Sequence, residues 1–125
     1  MIKTERENSI ERVSNLRYLS ETMGGNNKLI KEIIDIFLKQ VPEELSRLNA
    51  AVEQSDFITI KNYSHTMKSS TSIMGISALA DILKEMEELA KSAINIENIK
   101  LLNSKLNTIC KQAMEEIEKE IPNYI

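Results

Sequence analysis

Apolar residues recur at spacings of three and four along four long segments of this chain, and this periodicity constrains the fold more than any other feature. Such spacing places the apolar side chains on one face of an α-helix. A clear case is the segment that contains Ile99, Leu102, Leu106, Ile109, Ala113 and Ile117. Four long amphipathic helices with short connections predict an all-α protein, an antiparallel four-helix bundle with a short additional N-terminal helix.

The breaks between these segments set the predicted boundaries. The Gly-Gly-Asn run at residues 24–26 ends a short first helix over about residues 9–23, because paired glycines stop a helix and asparagine can cap the next one. The bundle core follows over about residues 28–119. Without an internal repeat or a linker, we expect one domain over residues 1–125.

Three single residues and one pair of residues carry local predictions. Pro42 falls inside the second apolar segment, where its missing backbone donor predicts a kink or a break. The pair Ser55-Asp56 is suited to cap the third helix, and Ser77 is available to cap the fourth. The tail from Ile121 onward is expected to fray.

Composition and charge argue against several classes of protein. The 125 residues include 16 basic and 19 acidic side chains, a formal charge of −3 at pH 7, so the basic excess of a nucleic-acid binder is missing. No apolar run approaches the ~20 residues that span a bilayer, and the start lacks the apolar stretch of a secretory signal. Cys110 is the one cysteine and cannot form an internal disulfide. We expect a cytoplasmic protein that binds neither nucleic acid nor membrane.

The third segment is unusual because Ser or Thr fills six of the nine positions from 64 to 72. At about 100° per residue, one arc of this helix faces the core, and it holds Ile60, Ser64, Met67, Thr71 and Met74. His65 lies about 140° from Ile60, and Lys68, Ser69 and Ser72 share its face. We predict an exposed imidazole with an ammonium nearby and small side chains around it. A solvated surface histidine on a weakly helical face fits the same pattern, and this alternative stays open.

Residues 65–70, His-Thr-Met-Lys-Ser-Ser, with Gly75 ten positions after the histidine, resemble the motif of the histidine-containing phosphotransfer (HPt) domain family. The family motif runs histidine, any residue, leucine, lysine, glycine and serine, with a glycine about five residues later. The resemblance extends over roughly residues 13–90. Met67 replaces the leucine and Ser69 replaces the first glycine. Ser69 is still small, so a partner can approach the imidazole.

The resemblance implies that His65 accepts a phosphoryl group from the aspartyl phosphate of a response-regulator receiver domain and passes it to another receiver. Lys68 would offset the charge of the phosphoryl oxygens. Glu87 would hold the second ring nitrogen by a hydrogen bond, although it also fits an ordinary solvated charge at the edge of its helix. The family binds no cofactor of its own, and Mg²⁺ would come from the partner receiver.

The same resemblance implies a small, transient docking surface around the histidine. Its predicted members are Ser69, Ser72, Ile73, Gly75 and Met23, with Ile73 and Met23 as exposed apolar contacts. Gly75 would let the fourth helix turn back closely against the third. The partners would be receiver domains, including those of hybrid histidine kinases, and the chain itself would be a monomer.

Two further functions remain open. One is a helical docking or adaptor module that binds a receiver or a kinase without phosphotransfer, and the other is a purely structural bundle. No glycine-rich nucleotide loop is present in the sequence, so we expect no kinase activity. A relay of this kind is a phosphotransfer protein rather than a free-standing enzyme. No metal site is expected, since Asn62 occupies the position three before His65 that a di-iron bundle fills with glutamate.

Overall fold

The computed structural model describes residues 12–124 of the chain. In this range the backbone forms five α-helices and a short 3₁₀ turn, without a strand. In chain order these are α1 (Leu16–Thr22), α2 (Asn27–Glu53), α3 (Phe57–Ile73), α4 (Ser77–Lys91), α5 (Ile96–Glu120) and the 3₁₀ turn (Ile121–Tyr124). The prediction of an all-helical chain is confirmed for the described residues.

The four long helices surround one apolar core. Helix α3 packs against α2 and α4, and α5 packs against α4 and α2, so each long helix has two long neighbours. Successive helices are joined by only three or four residues, a length that makes them neighbours in space. Cys110 is a free thiol within this core, where burial raises its pKa to about 12.

Helix α3 buries the arc that the sequence predicts. The five residues of that arc, Ile60, Ser64, Met67, Thr71 and Met74, are each at most 1% exposed. This burial fixes the rotation of α3 about its axis. The opposite face of the helix, which carries His65, therefore points away from the core into solvent.

The helix boundaries confirm some local predictions and correct others. Asp56 caps α3, since its Oδ1 accepts from the backbone N–H of Thr59 at 3.2 Å. The predicted cap at Ser77 is wrong, because α4 follows Ile76 without a side-chain cap and Ser77 is its first residue. Helix α2 runs unbroken through Pro42. Pro42 is exposed, so water can satisfy the carbonyl that its missing N–H leaves free.

The N-terminal helix begins at Leu16, later than the predicted start near residue 9. Residues 12–15 are not helical, and residues 9–11 lie outside the described part of the chain. The side chain of Asn15 accepts from the N–H groups of Arg17 and Tyr18 and so caps α1 at this point. The helix then buries Leu16 and Leu19 in the core.

The expectation that the C-terminal tail frays is wrong for residues 121–124, and Ile125 lies outside the described residues. Residues 121–124 form the 3₁₀ turn, and this turn contacts both α2 and α5. Ile121 and Tyr124 are partly buried against the apolar core. Their burial offsets the loss of helical hydrogen bonds at the chain end. None of the helices within residues 12–124 is long and apolar enough to cross a membrane.

Candidate functional site

His65 stands on the solvent side of α3, two turns after the helix begins. Its side chain is 66% exposed, as the position of the buried arc predicts. Small side chains flank it on the same helix, and Ser69, one turn further on, is exposed. A molecule that approaches from solvent can therefore reach the imidazole directly.

The imidazole is oriented by a carboxylate from the neighbouring helix. His65 Nδ1 lies 2.9 Å from Glu87 Oε2 on α4. An ionised carboxylate can only accept a hydrogen bond, so Nδ1 carries the proton in this contact. In the neutral ring Nε2 then holds the free lone pair.

The second oxygen of the same carboxylate is bound by Lys68. Lys68 Nζ donates to Glu87 Oε1 at 2.9 Å. This hydrogen bond is the main cause of the lowered pKa of Glu87; burial opposes it, and the hydrogen bond from His65 adds to it. Glu87 therefore stays ionised at neutral pH although its side chain is only 9% exposed. The interpretation of Glu87 as an ordinary solvated charge is wrong, because the carboxylate is buried between α3 and α4.

Two lysines that the sequence reasoning missed also border the imidazole. Lys91 Nζ lies 3.8 Å from Glu87 Oε2, one turn along α4. A groove of about 410 Å³ beside the imidazole is lined by Lys61, Asn62, His65, Thr66, Glu87 and Lys91. Spacings of four residues, from Lys61 to His65 and from Glu87 to Lys91, are the signal that could have identified them. The site is thus locally cationic on a chain whose formal charge is −3.

Several hydroxyl groups near His65 are bonded to the backbone of their own helix. Thr66 Oγ1 donates to the carbonyl of Asn62 at 3.0 Å, and Ser72 Oγ donates to the carbonyl of Lys68 at 2.9 Å. Such bonds hold short side chains against the helix. The side chains around the imidazole therefore project little from the helix, and the face that they form is polar.

The predicted docking residues divide into two groups. Ser69, Ser72 and Ile73 lie on the exposed side of α3, and the side chain of Ile73 is 49% exposed. Met23 is different, because it is partly buried and packs against the core. The prediction of Met23 as an exposed apolar contact is wrong, since the turn that ends α1 folds it toward the core.

Gly75 lies at the turn between α3 and α4 for a reason other than the one expected. Its φ is +69°, and a Cβ at this position would lie 2.7 Å from the carbonyl oxygen of Asn15. The close neighbour is thus the segment before α1 rather than α4. A second groove, of about 380 Å³, is lined here by Asn15, Tyr18, Ser72, Gly75, Ser77, Ala80 and Asp81.

None of the described residues forms a group of three His, Cys, Asp or Glu side chains that could hold a metal ion. What the arrangement offers is a nucleophilic nitrogen, a buried carboxylate and ammonium groups. Together they suit the transfer of an anionic group, which depends on positioning and charge neutralisation.

Comparisons with known proteins concern the family and the fold of the chain. The family model described as Hpt domain matches residues 32–121. Among solved structures, the histidine-containing phosphotransfer protein B (HptB) from Pseudomonas aeruginosa PAO1 superimposes with a TM-score of 0.82. The two sequences are 22% identical, and the match covers 90% of this chain and 97% of that chain, a likeness of fold. A comparison with curated proteins found no match.

Proposed function

This chain belongs to the Hpt domain family, and from that premise we propose that it is a phosphorelay intermediate in which His65 is the phosphoacceptor. The observation that carries the proposal is the exposed His65 ring, whose Nδ1 is bonded to the buried carboxylate of Glu87. A histidine with only a structural role would need neither the exposure nor the carboxylate. The partners are response-regulator receiver domains, including those of hybrid histidine kinases.

The proposed step is an in-line transfer between two side chains. The lone pair of His65 Nε2 attacks the phosphorus of an aspartyl phosphate in the receiver. A nitrogen–phosphorus bond forms while the bond from phosphorus to the aspartyl oxygen breaks, and the aspartate leaves as a carboxylate. The ring gains positive charge, which Glu87 balances through Nδ1–H. The reverse step delivers the phosphoryl group to a second receiver.

Lys68 is proposed to neutralise the transferred group. Lys68 lies about one turn along α3 from His65, and its ammonium donates to Glu87 Oε1 at 2.9 Å. A lysine is a flexible point charge, so it can turn from the carboxylate toward phosphoryl oxygens on Nε2. This movement would match the ammonium to the growing negative charge at the site.

The remaining parts of the proposal concern the surroundings of the site. Residues 1–125 are proposed to form a single Hpt domain, an antiparallel four-helix bundle to which α1 is added; the two long neighbours of each long helix support this arrangement. Ser69, Ser72, Ile73 and Gly75 are proposed to lie under the docked receiver, which would bring its own Mg²⁺. That the chain is a cytoplasmic monomer stays a prediction.

The test is transfer of labelled phosphate from a phosphorylated receiver. Wild-type protein should gain a label that survives base and is lost in acid, as a phosphoramidate is, and His65→Gln should gain none. Lys105→Gln, an exposed change on α5, is the matched control and should behave as wild type. Label on the His65→Gln variant would refute the role of His65. Receiver binding without any label would favour the docking module.

A further inference from the structure

One carboxylate on α5 fastens the segment that precedes α1. Glu116 accepts hydrogen bonds from the backbone N–H of Val13 at 3.1 and 3.2 Å and from the N–H of Ser14 at 3.0 Å. The Ser14 hydroxyl donates to it at 2.6 Å, and Gln112 donates at 2.9 Å. Arg12 adds ion pairs to Glu116 and Glu120. One partly buried carboxylate thus binds three residues of the segment that precedes α1.

These hydrogen bonds also affect the charge of Glu116. Burial tends to raise its pKa, but the hydrogen bonds from Ser14, Gln112 and Val13 outweigh burial and leave the pKa lowered. The carboxylate is therefore ionised at neutral pH, and hydrogen bonds to an ionised acceptor are stronger than those between neutral groups. The contact is an anchor for residues 12–15.

The anchored segment sets the position of α1 beside the site. After the anchor, Asn15 lies across the turn at Gly75, and Leu16 and Leu19 are buried in the core. This arrangement leaves Tyr18 51% exposed. Tyr18 and Ser72 line the same groove of about 380 Å³.

That groove lies within reach of a partner that is docked on His65. Ser72 follows His65 by seven residues on the same face of α3, which is about 10 Å along the helix axis. A standard interface buries about 800 Å² per partner, equivalent to a disc of roughly 16 Å radius. A receiver centred on His65 therefore covers the groove, whose lining includes Tyr18 from α1. Ile73, next to Ser72 on α3, is exposed as well.

We propose that Glu116 is a positioning residue that holds α1 in the receiver-binding face, so that Tyr18 helps to select the receiver. This inference rests on the proposed function. The occupant of the groove is the receiver itself, through apolar side chains beside its anionic aspartyl phosphate. Charge agrees with this partner, because Lys61, Lys68 and Lys91 surround the histidine at the centre of the same face. Aromatic residues are enriched at such interfaces.

The experiment compares three changes on α5 and α1 with one control. Glu116→Ala removes the anchor, Glu116→Gln keeps a carbonyl oxygen that accepts, and Tyr18→Ala removes the contact but leaves the anchor. Glu118→Ala, an exposed change on the same helix, is the control. Hydrogen exchange of the Val13 and Ser14 amides measures the anchor. Single-turnover transfer from ³²P-labelled receiver domains of the same organism, at rising receiver concentration, gives the half-saturating concentration (KM) and the limiting rate constant (kcat). Titration with the unphosphorylated receivers gives Kd.

We expect Glu116→Ala to speed the exchange of both amides and to raise KM about tenfold with kcat unchanged. Glu116→Gln should give amide exchange rates and a KM between those of Glu116→Ala and wild type. Tyr18→Ala should raise KM without changing the amide exchange rates. Glu118→Ala should match wild type in both measurements.

Three results would overturn the inference. One is fast amide exchange in Glu116→Ala together with an unchanged KM, which makes the anchor purely structural. Another is an unchanged KM in Tyr18→Ala, which decides the matter even where Glu116→Ala fails to fold. The third is a wild-type chain that binds no receiver, which removes the proposed function as well. Binding without transfer would refute the proposed function alone, and the Kd values of the same variants then test the inference.

Discussion

Replacing Gly75 with alanine tests how tightly the N-terminal segment packs on the turn between α3 and α4. Gly75 and Gly24 share a left-handed backbone, with φ of +69° and +62°. Their surroundings differ, because a Cβ on Gly75 would lie 2.7 Å from the Asn15 carbonyl oxygen, whereas a Cβ on Gly24 would have nothing within 4 Å. Gly24→Ala is thus a matched control that changes the backbone energy alone.

The two substitutions should differ severalfold in cost. A left-handed conformation costs an L-residue about 1–2 kcal/mol, partly offset by about 0.4–1 kcal/mol from the lower entropy of the unfolded alanine variant. We expect Gly24→Ala to lose about 1 kcal/mol. At Gly75 the backbone of Asn15 must also move, and overpacking of this kind adds about 1–3 kcal/mol. The expected loss of stability for Gly75→Ala is therefore about 3 kcal/mol.

Thermal and urea unfolding of the purified variants measure these losses. For a chain of this size about 1 kcal/mol lowers Tm by roughly 4 °C, so we expect about 4 °C for Gly24→Ala and about 12 °C for Gly75→Ala. Gly25→Ala, with φ of +73° and nothing within 4 Å, should match Gly24→Ala. Equal losses of stability in Gly24→Ala and Gly75→Ala would show that the clash with Asn15 costs nothing, and would refute this reasoning.

Two further predictions concern the site. The pKa of Glu87 is lowered in the folded chain from an ordinary value of 4.5, so the unfolded chain binds the proton first and stability falls as pH drops below about 4.5. Glu87→Gln should flatten the pH dependence of the free energy of unfolding in that window, and an unchanged slope would contradict the ionised assignment. Ile73→Lys should raise the KM for a receiver about tenfold by placing a charge in the proposed interface, while Ile58→Lys, an exposed change at the start of α3, should not. Equal effects of these two lysines would remove Ile73 from the interface.

Helical periodicity predicted the parts of the structure that depend on one helix at a time. The buried arc of α3, from Ile60 to Met74, and the exposure of His65 both follow from an angle of about 100° per residue. The cap at Asp56 is equally local, because its hydrogen bond spans only three residues. Such features are present in the sequence pattern before any tertiary contact forms.

Features that depend on two helices could not be obtained in this way. Glu87 follows the buried Met86 at the margin of the apolar face of α4, and only the packing of α3 decides whether a marginal carboxylate is covered or solvated. The start of α1 is a stronger case. The N–H groups of residues 13 and 14 donate to Glu116, more than a hundred positions away. These residues are therefore not part of the helix that the local pattern alone favours.

Two hydroxyl groups near His65 have a consequence for the binding of a partner. The hydroxyl groups of Thr66 and Ser72 already donate to carbonyls of their own helix. A partner that covers them therefore leaves no hydroxyl donor unsatisfied and does not need to provide an acceptor. Covering these two hydroxyl groups therefore avoids the cost of burying an unsatisfied donor. In the proposed relay these two hydroxyl groups would neither hold a docked receiver nor distinguish one receiver from another, and discrimination would be left to side chains such as Tyr18.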